Sequence, residues 1–156
     1  MKANVVLDDC RRALNLVEGA HNDQDFRVYW VALIALLRAV GHVLDKVDAN
    51  ANASLRRAVD ARWAEWRRDR EKHRLFWDFI EYERNSVLKT YELGVQSGDV
   101  DIVVQGSGVV GVSTLDECLF KPLLDGPFAG EDGRDVAREA ITWWEGQLSE
   151  IAGGRI

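Results

Sequence analysis

From about Gln24 to Val47, apolar residues return every three or four positions, at Phe26, Trp30, Leu33, Leu37, Val40 and Leu44. That is the period of one helix face. The back of the same stretch is also largely apolar, at Val31, Ile34 and Ala35. A helix that is apolar on two sides needs neighbours on both, which puts it at the centre of a helical bundle. Arg38 and His42, four residues apart, share the second side.

The rest of the chain supplies the neighbours. Residues 4–19 carry Val5, Val6, Leu7, Cys10, Leu14 and Val17 at near-helical spacing, and Gly19 with His21-Asn22-Asp23 supplies a stop and a turn. Asn22 or Asp23 is placed to cap the central helix. The polar, small-residue run Asp48–Ser54 reads as a loop, with Ser54 the cap of a third helix over Arg56–Arg74. In Leu75–Glu92, Phe76, Phe79, Ile80, Val87 and Tyr91 form a core stripe that includes Glu83, opposite Asp78, Glu81, Asn85 and Lys89. Two β-rich runs, Val100–Gln105 and Val109–Ser113, flank Gly106-Ser107-Gly108 and predict a hairpin. Residues 115–133, with Pro122, Pro127 and several Gly, read as irregular, and Asp132 caps a last helix of about Arg134–Ile151. The expected fold is all-α, an up-and-down bundle of four to five helices in one domain spanning 1–156, with a small β-hairpin (about 99–114) inserted before the last helix. The short connections favour antiparallel neighbours.

With 156 residues the chain is long enough to bury a core without staples. A net charge of -6 argues against uniform binding to nucleic acid or acidic membrane, while leaving room for a local basic patch. Cys10 and Cys118 form no disulfide framework or zinc spacing, so neither a metal nor a cofactor is expected, and reduced thiols suit a cytoplasmic protein. The run Val28–Val40 is shorter than the roughly 20 residues of a membrane span and contains Arg38, which predicts a buried helix and no membrane partner.

Two groups of polar residues remain. Between Arg56 and Arg74 eight Lys or Arg face four Asp or Glu, with Trp63 and Trp66 among them. Such a segment is either a solvated helix laced with ion pairs or a phosphate-attracting surface (Arg67, Arg68, Arg70, Lys72) with aromatic stacking platforms. The second group is Arg84, Asn85 and Lys89. Arg84 is either paired with Glu81 one turn earlier or free to bind phosphate. Glu83, inside an apolar stripe, is expected to pair with a buried Arg such as Arg38, because an unpaired buried carboxylate is costly. His21, His42 and His73 are scattered, and each reads as structural rather than catalytic. Gly106-Ser107-Gly108 has no following Lys or helix, so it reads as a turn rather than a phosphate loop.

Arg84-Asn85-Ser86-Val87-Leu88-Lys89, late in an apolar-striped helix and following the long helix that carries Leu37-Arg38-Ala39-Val40, resembles the HEPN superfamily. Its signature is an Arg, usually followed by a polar residue such as Asn, with a His four to six positions beyond. Arg84 and Asn85 fit, whereas Lys89 stands at the His position. The resemblance covers residues 24–92 and the last helix. It implies a metal-independent ribonuclease chemistry in active members, in which a 2′-hydroxyl attacks the adjacent phosphate, His moves protons and Arg stabilises the phosphorane.

Lys89 is a poor general base near neutral pH unless strongly desolvated, and loss of an acid–base group typically costs about 10² to 10⁴ in rate. At about 100° per residue Arg84 and Lys89 diverge by about 140°, so a composite site would need a second copy of the chain. A homodimer is therefore expected, with Trp77 beside Arg84 and Leu88 offering apolar surface. Three functions stay open. The first is a catalytically degenerate module binding RNA, a nucleotide or a cognate protein through Arg84, Asn85 and Lys89. The others are a toxin-like ribonuclease and a purely structural oligomer.

Overall fold

A computed structural model of the chain describes residues 1–96, 98–106, 109–115 and 119–153. It is an all-α bundle with a small two-stranded hairpin before the last helix. Helix α1 spans Lys2–Glu18, α2 Asp23–Val43, α3 Ala53–Arg68, α4 Tyr82–Thr90 and α5 Gly133–Ala152. Strands β1 (Val100–Gly106) and β2 (Val109–Leu115) pair antiparallel, from Val100↔Leu115 to Gly106↔Val109. Among the described elements neither strand packs against a helix. Ser107 and Gly108, at the expected turn, lie outside the described residues.

Helix α2 packs against α1, α4 and α5, as its two apolar sides demand. Phe26, Trp30, Leu33, Ile34, Leu37 and Val40 are all buried. Asn22 caps it, its side chain accepting from the Asp25 N–H at 2.8 Å. Gly41 is required by packing, since a Cβ there would meet Trp144 Cη2 at 2.9 Å. The Trp144 indole in turn donates to the Leu37 carbonyl at 3.0 Å and pins α5 across α2.

The expected loop at Asp48–Ser54 is instead helical at every position but Asn52. A π-helical turn, Leu44–Asp48, and a 3-10 turn, Ala49–Ala51, carry α2 onward. Asn52, not Ser54, caps α3, its side chain accepting from the Leu55 N–H at 2.7 Å. Tertiary contacts override the local composition here. Arg56 ties Asp45 (2.7 Å) and Asn50 (3.1 Å) to α3, and the buried Asp48 carboxylate accepts the backbone N–H groups of Lys2 (2.7 Å) and Ala3 (2.8 Å). Asp48 thus caps α1, whose own N-cap residue, Met1, makes no side-chain cap. Asp48→Ala is expected to lower stability by about 1–2 kcal/mol, read as a lower denaturant midpoint with an unchanged slope. The whole stretch Asp23–Ala51 is long and apolar enough by composition to cross a membrane, although 39% of its most apolar window is buried inside the bundle.

Helix α3 stops at Arg68, and the chain turns through Asp69–Arg74 before a π-helical segment, Leu75–Glu81, leads into α4. Tyr91 takes a left-handed conformation (φ 57°) that ends α4, so it is exposed rather than the last member of the core stripe. Phe76, Phe79, Ile80, Glu83 and Val87 are buried as their spacing predicts.

An aromatic cluster fills the space between α3, α5 and the π-helical segment. The ring of Trp66 lies 4.7 Å from Trp63, 5.1 Å from Trp143, 5.6 Å from Trp144 and 5.8 Å from Phe76, centroid to centroid. Trp66 also donates to Gln147 Oε1 at 2.7 Å. These rings are core, not platforms for a ligand. The segment read as irregular holds one further determinant: Lys121 is fully buried, its Nζ 2.6 Å from Asp23 Oδ1 and 4.7 Å over the Phe26 ring.

Candidate functional site

Arg84 leaves the inner face of α4 just after the π-helical segment, beside the second side of α2. There Ala35, Arg38, Ala39 and His42 of α2 join Arg84 and Leu88 of α4 around a groove of about 320 Å³. Two helices supply the site because Glu83 and Val87 turn into the core and carry Arg84 and Leu88 to the rim. The wide turns Leu44–Asp48 and Leu75–Glu81 follow His42 and precede Arg84 in sequence. Such turns replace the regular helix ladder and occur frequently at functional sites.

The groove is cationic on an acidic chain. Arg84 Nη1 donates to the Oδ1 of its neighbour Asn85 at 2.9 Å, which orients the guanidinium without neutralising it. Arg38 Nε contacts Glu81 Oε2 at 3.2 Å, both side chains about one-quarter exposed. Arg38 Cζ also stands 5.7 Å over the Phe76 ring. His42 is exposed at the same rim. The Arg84 guanidinium, with the His42 imidazole and the Glu81-paired Arg38 beside it and Ala35, Ala39 and Leu88 around it, suits an anion with acceptor oxygens.

The geometry corrects several expectations. Glu83 does not pair with Arg38. It is buried and accepts hydrogen bonds from Trp30 Nε1 and the Gly94 backbone N–H, each at 3.2 Å. Burial raises its carboxyl above the ordinary range, opposed by those two N–H donors, so the site does not demand a guanidinium. Glu81 is therefore left for Arg38 rather than for Arg84. Trp77 is half-buried, its indole donating to the Trp66 carbonyl at 2.8 Å, with Arg70 over its ring.

Lys89 is exposed and stands outside the groove, as its angular separation from Arg84 requires. Nor do Arg67, Arg68, Arg70 and Lys72 line it. All four are exposed around the end of α3. Arg67 Nε donates to the Trp63 carbonyl at 3.1 Å, and Lys72 Nζ bonds Glu65 at 3.0 Å. That bond from Lys72, with a second from Arg62, brings the Glu65 carboxyl down to about 2.

Of the three His, His42 reaches the groove instead of being a satisfied core residue. Its four-residue spacing from Arg38 was the signal for it. His73 is the buried one: its Nδ1 accepts from Trp143 Nε1 at 3.3 Å, and burial lowers its pKa and favours the neutral ring. Among the described residues no group of three or more His, Cys, Asp or Glu is placed to hold a metal ion. No family model matches the chain, and no curated protein or solved structure is detectably similar to it.

Proposed function

We propose that the protein is a catalytically degenerate HEPN-like module that binds the phosphate groups of RNA or a nucleotide in the α2–α4 groove. The observation that carries this reading is the convergence of Arg38, His42 and Arg84 on one groove from two helices, beside the Arg-Asn pair that resembles the superfamily's motif. Lys89 has no part in the contact. The test is fluorescence anisotropy with a labelled single-stranded RNA octamer. Arg84→Ala removes a charge-assisted hydrogen-bond donor and is expected to weaken binding by about tenfold or more, whereas Lys89→Ala changes it by less than about twofold. Equal losses from both substitutions overturn the assignment of the groove.

His42 supports a second reading, cleavage. In that reaction its imidazole takes the proton of a 2′-hydroxyl as the oxygen attacks phosphorus, the P–O5′ bond breaks, and the proton goes on to the leaving 5′-oxygen. Arg38 and Arg84 stabilise the pentacoordinate phosphate. Appearance of a 2′,3′-cyclic phosphate that both His42→Ala and Arg84→Ala abolish selects this reading over binding alone.

The proposed assembly is a homodimer. Leu88 is 57% exposed at the edge of the groove, where a second copy would set its own Arg84 helix beside the first and complete the site between them. Light scattering is expected to give twice the 17.6 kDa chain mass, reduced to one chain by Leu88→Glu. A monomeric wild-type protein contradicts the assembly.

A further inference from the structure

Strands β1 and β2 pair without a bulge from Val100↔Leu115 to Gly106↔Val109, and among the described elements neither packs against a helix. A two-stranded ribbon with no further strand or helix behind it is marginal in water. Its outer edges also lack the devices that keep sheet edges apart, since Val100–Leu115 contains no Pro, no Lys and a single charged residue, Asp101. Val103 and Val112 stand opposite one another, on one face of the ribbon, and are 60% and 64% exposed. On the other face a Cβ at Gly111 would meet nothing within 4 Å.

The two edges are not equivalent. β1 contains Asp101 and follows Asp99, so pairing β1 with its own copy would set four carboxylates along one seam. β2 carries no charge on any of its seven residues. Two antiparallel strands related by a two-fold axis can pair about one central residue, and Val112 is the middle of β2. In that register Val109 meets Leu115, Val110 meets Thr114, Gly111 meets Ser113 and Val112 meets its own copy, so every residue of the strand is paired. Because Val103 already lies across from Val112, the two copies then share one row of four valines on a four-stranded sheet. We infer that the outer edge of β2 docks the same edge of a second copy of this chain, antiparallel and centred on Val112. This contact is independent of the phosphate groove and of the α4 surface assigned to the homodimer. Its seam is one strand long, well short of a standard interface, which places its dissociation constant on the order of 10⁻⁴ M.

The test is sedimentation equilibrium of the full chain carrying Leu88→Glu, so that the α4 surface takes no part, from about 10 to 500 μM, a range that brackets such a constant. The mass is expected to rise from one chain toward two across that range. Adding Val112→Lys, or Val112→Glu, sets like charges directly opposite one another and removes the central valine pair, and each should raise the dissociation constant by about tenfold. An equimolar mixture of the two should restore it to within about threefold of the parent, because position 112 faces itself only in the centred register. Restoration by mixing also shows that both variants are folded. One chain at every concentration overturns the proposal and leaves the edge to a strand from another protein. Association that neither substitution weakens, or that mixing does not restore, overturns it as well. Restoration by mixing Val103→Lys with Val103→Glu, and not at position 112, overturns it by placing the seam on β1.

Discussion

Asp23→Ala is expected to lower the free energy of unfolding by about 3–5 kcal/mol, among the largest effects of any single side-chain truncation in this protein. Lys121 is fully buried, and its ammonium lies 2.6 Å from Asp23 Oδ1 and over the Phe26 ring. Taking the carboxylate away strands a positive charge that water cannot reach. The reciprocal substitution is different in kind, because Lys121→Met removes the buried charge and keeps an apolar stem of similar length. It is expected to be much milder, and it should also recover most of the loss when combined with Asp23→Ala. Denaturant unfolding of the two single variants and the double variant reads the asymmetry directly. Equal, small effects of the two single substitutions would show that the pair is solvated.

Gly94→Ala is the second large effect, about 3 kcal/mol or more. A Cβ at position 94 would lie 1.8 Å from Glu83 Oε1 and 2.8 Å from Glu83 Cδ. Glu83 cannot yield cheaply. It is 2% exposed, and moving it gives up the hydrogen bonds from Trp30 and from Gly94 itself, leaving a buried indole N–H unpaired. Glu83→Ala makes room for the new methyl but leaves Trp30 without its acceptor, so it destabilises by itself. The double variant should therefore be more stable than the sum of the single losses predicts, by about 1–3 kcal/mol of coupling. Additive losses would place Glu83 away from Gly94.

The helices were legible because their apolar positions follow the helical period over long stretches, and the hairpin because two β-rich runs flank a glycine turn. Asp48–Ser54 was not, since its composition is that of a loop and only contacts from Lys2, Ala3 and Arg56 make it helical. Lys121 was hidden for a similar reason: its partner lies 98 residues away, and nothing near it in sequence announces burial. In the candidate site, Arg84-Asn85 and Arg38/His42 were each visible as local spacings. That they face one groove is a property of the α2–α4 packing, which a single sequence does not encode locally. Glu83 lies in the core as its apolar stripe predicts, but where its charge suggests an Arg partner an indole and a backbone N–H suffice.

The central claim is that Arg84 in the α2–α4 groove binds phosphate, and the most direct test is the salt dependence of RNA binding. Titrations of the single-stranded octamer between about 50 and 200 mM salt give the slope of log K against log salt, which counts the phosphates neutralised at about 0.7 each for single strands. The wild-type protein should show affinity that falls with salt, by about 0.7 in slope for each phosphate that the groove neutralises. Arg84→Ala should make the slope shallower by about 0.7, the share of the one phosphate that Arg84 neutralises. A slope unchanged by Arg84→Ala, or binding insensitive to salt, contradicts the claim.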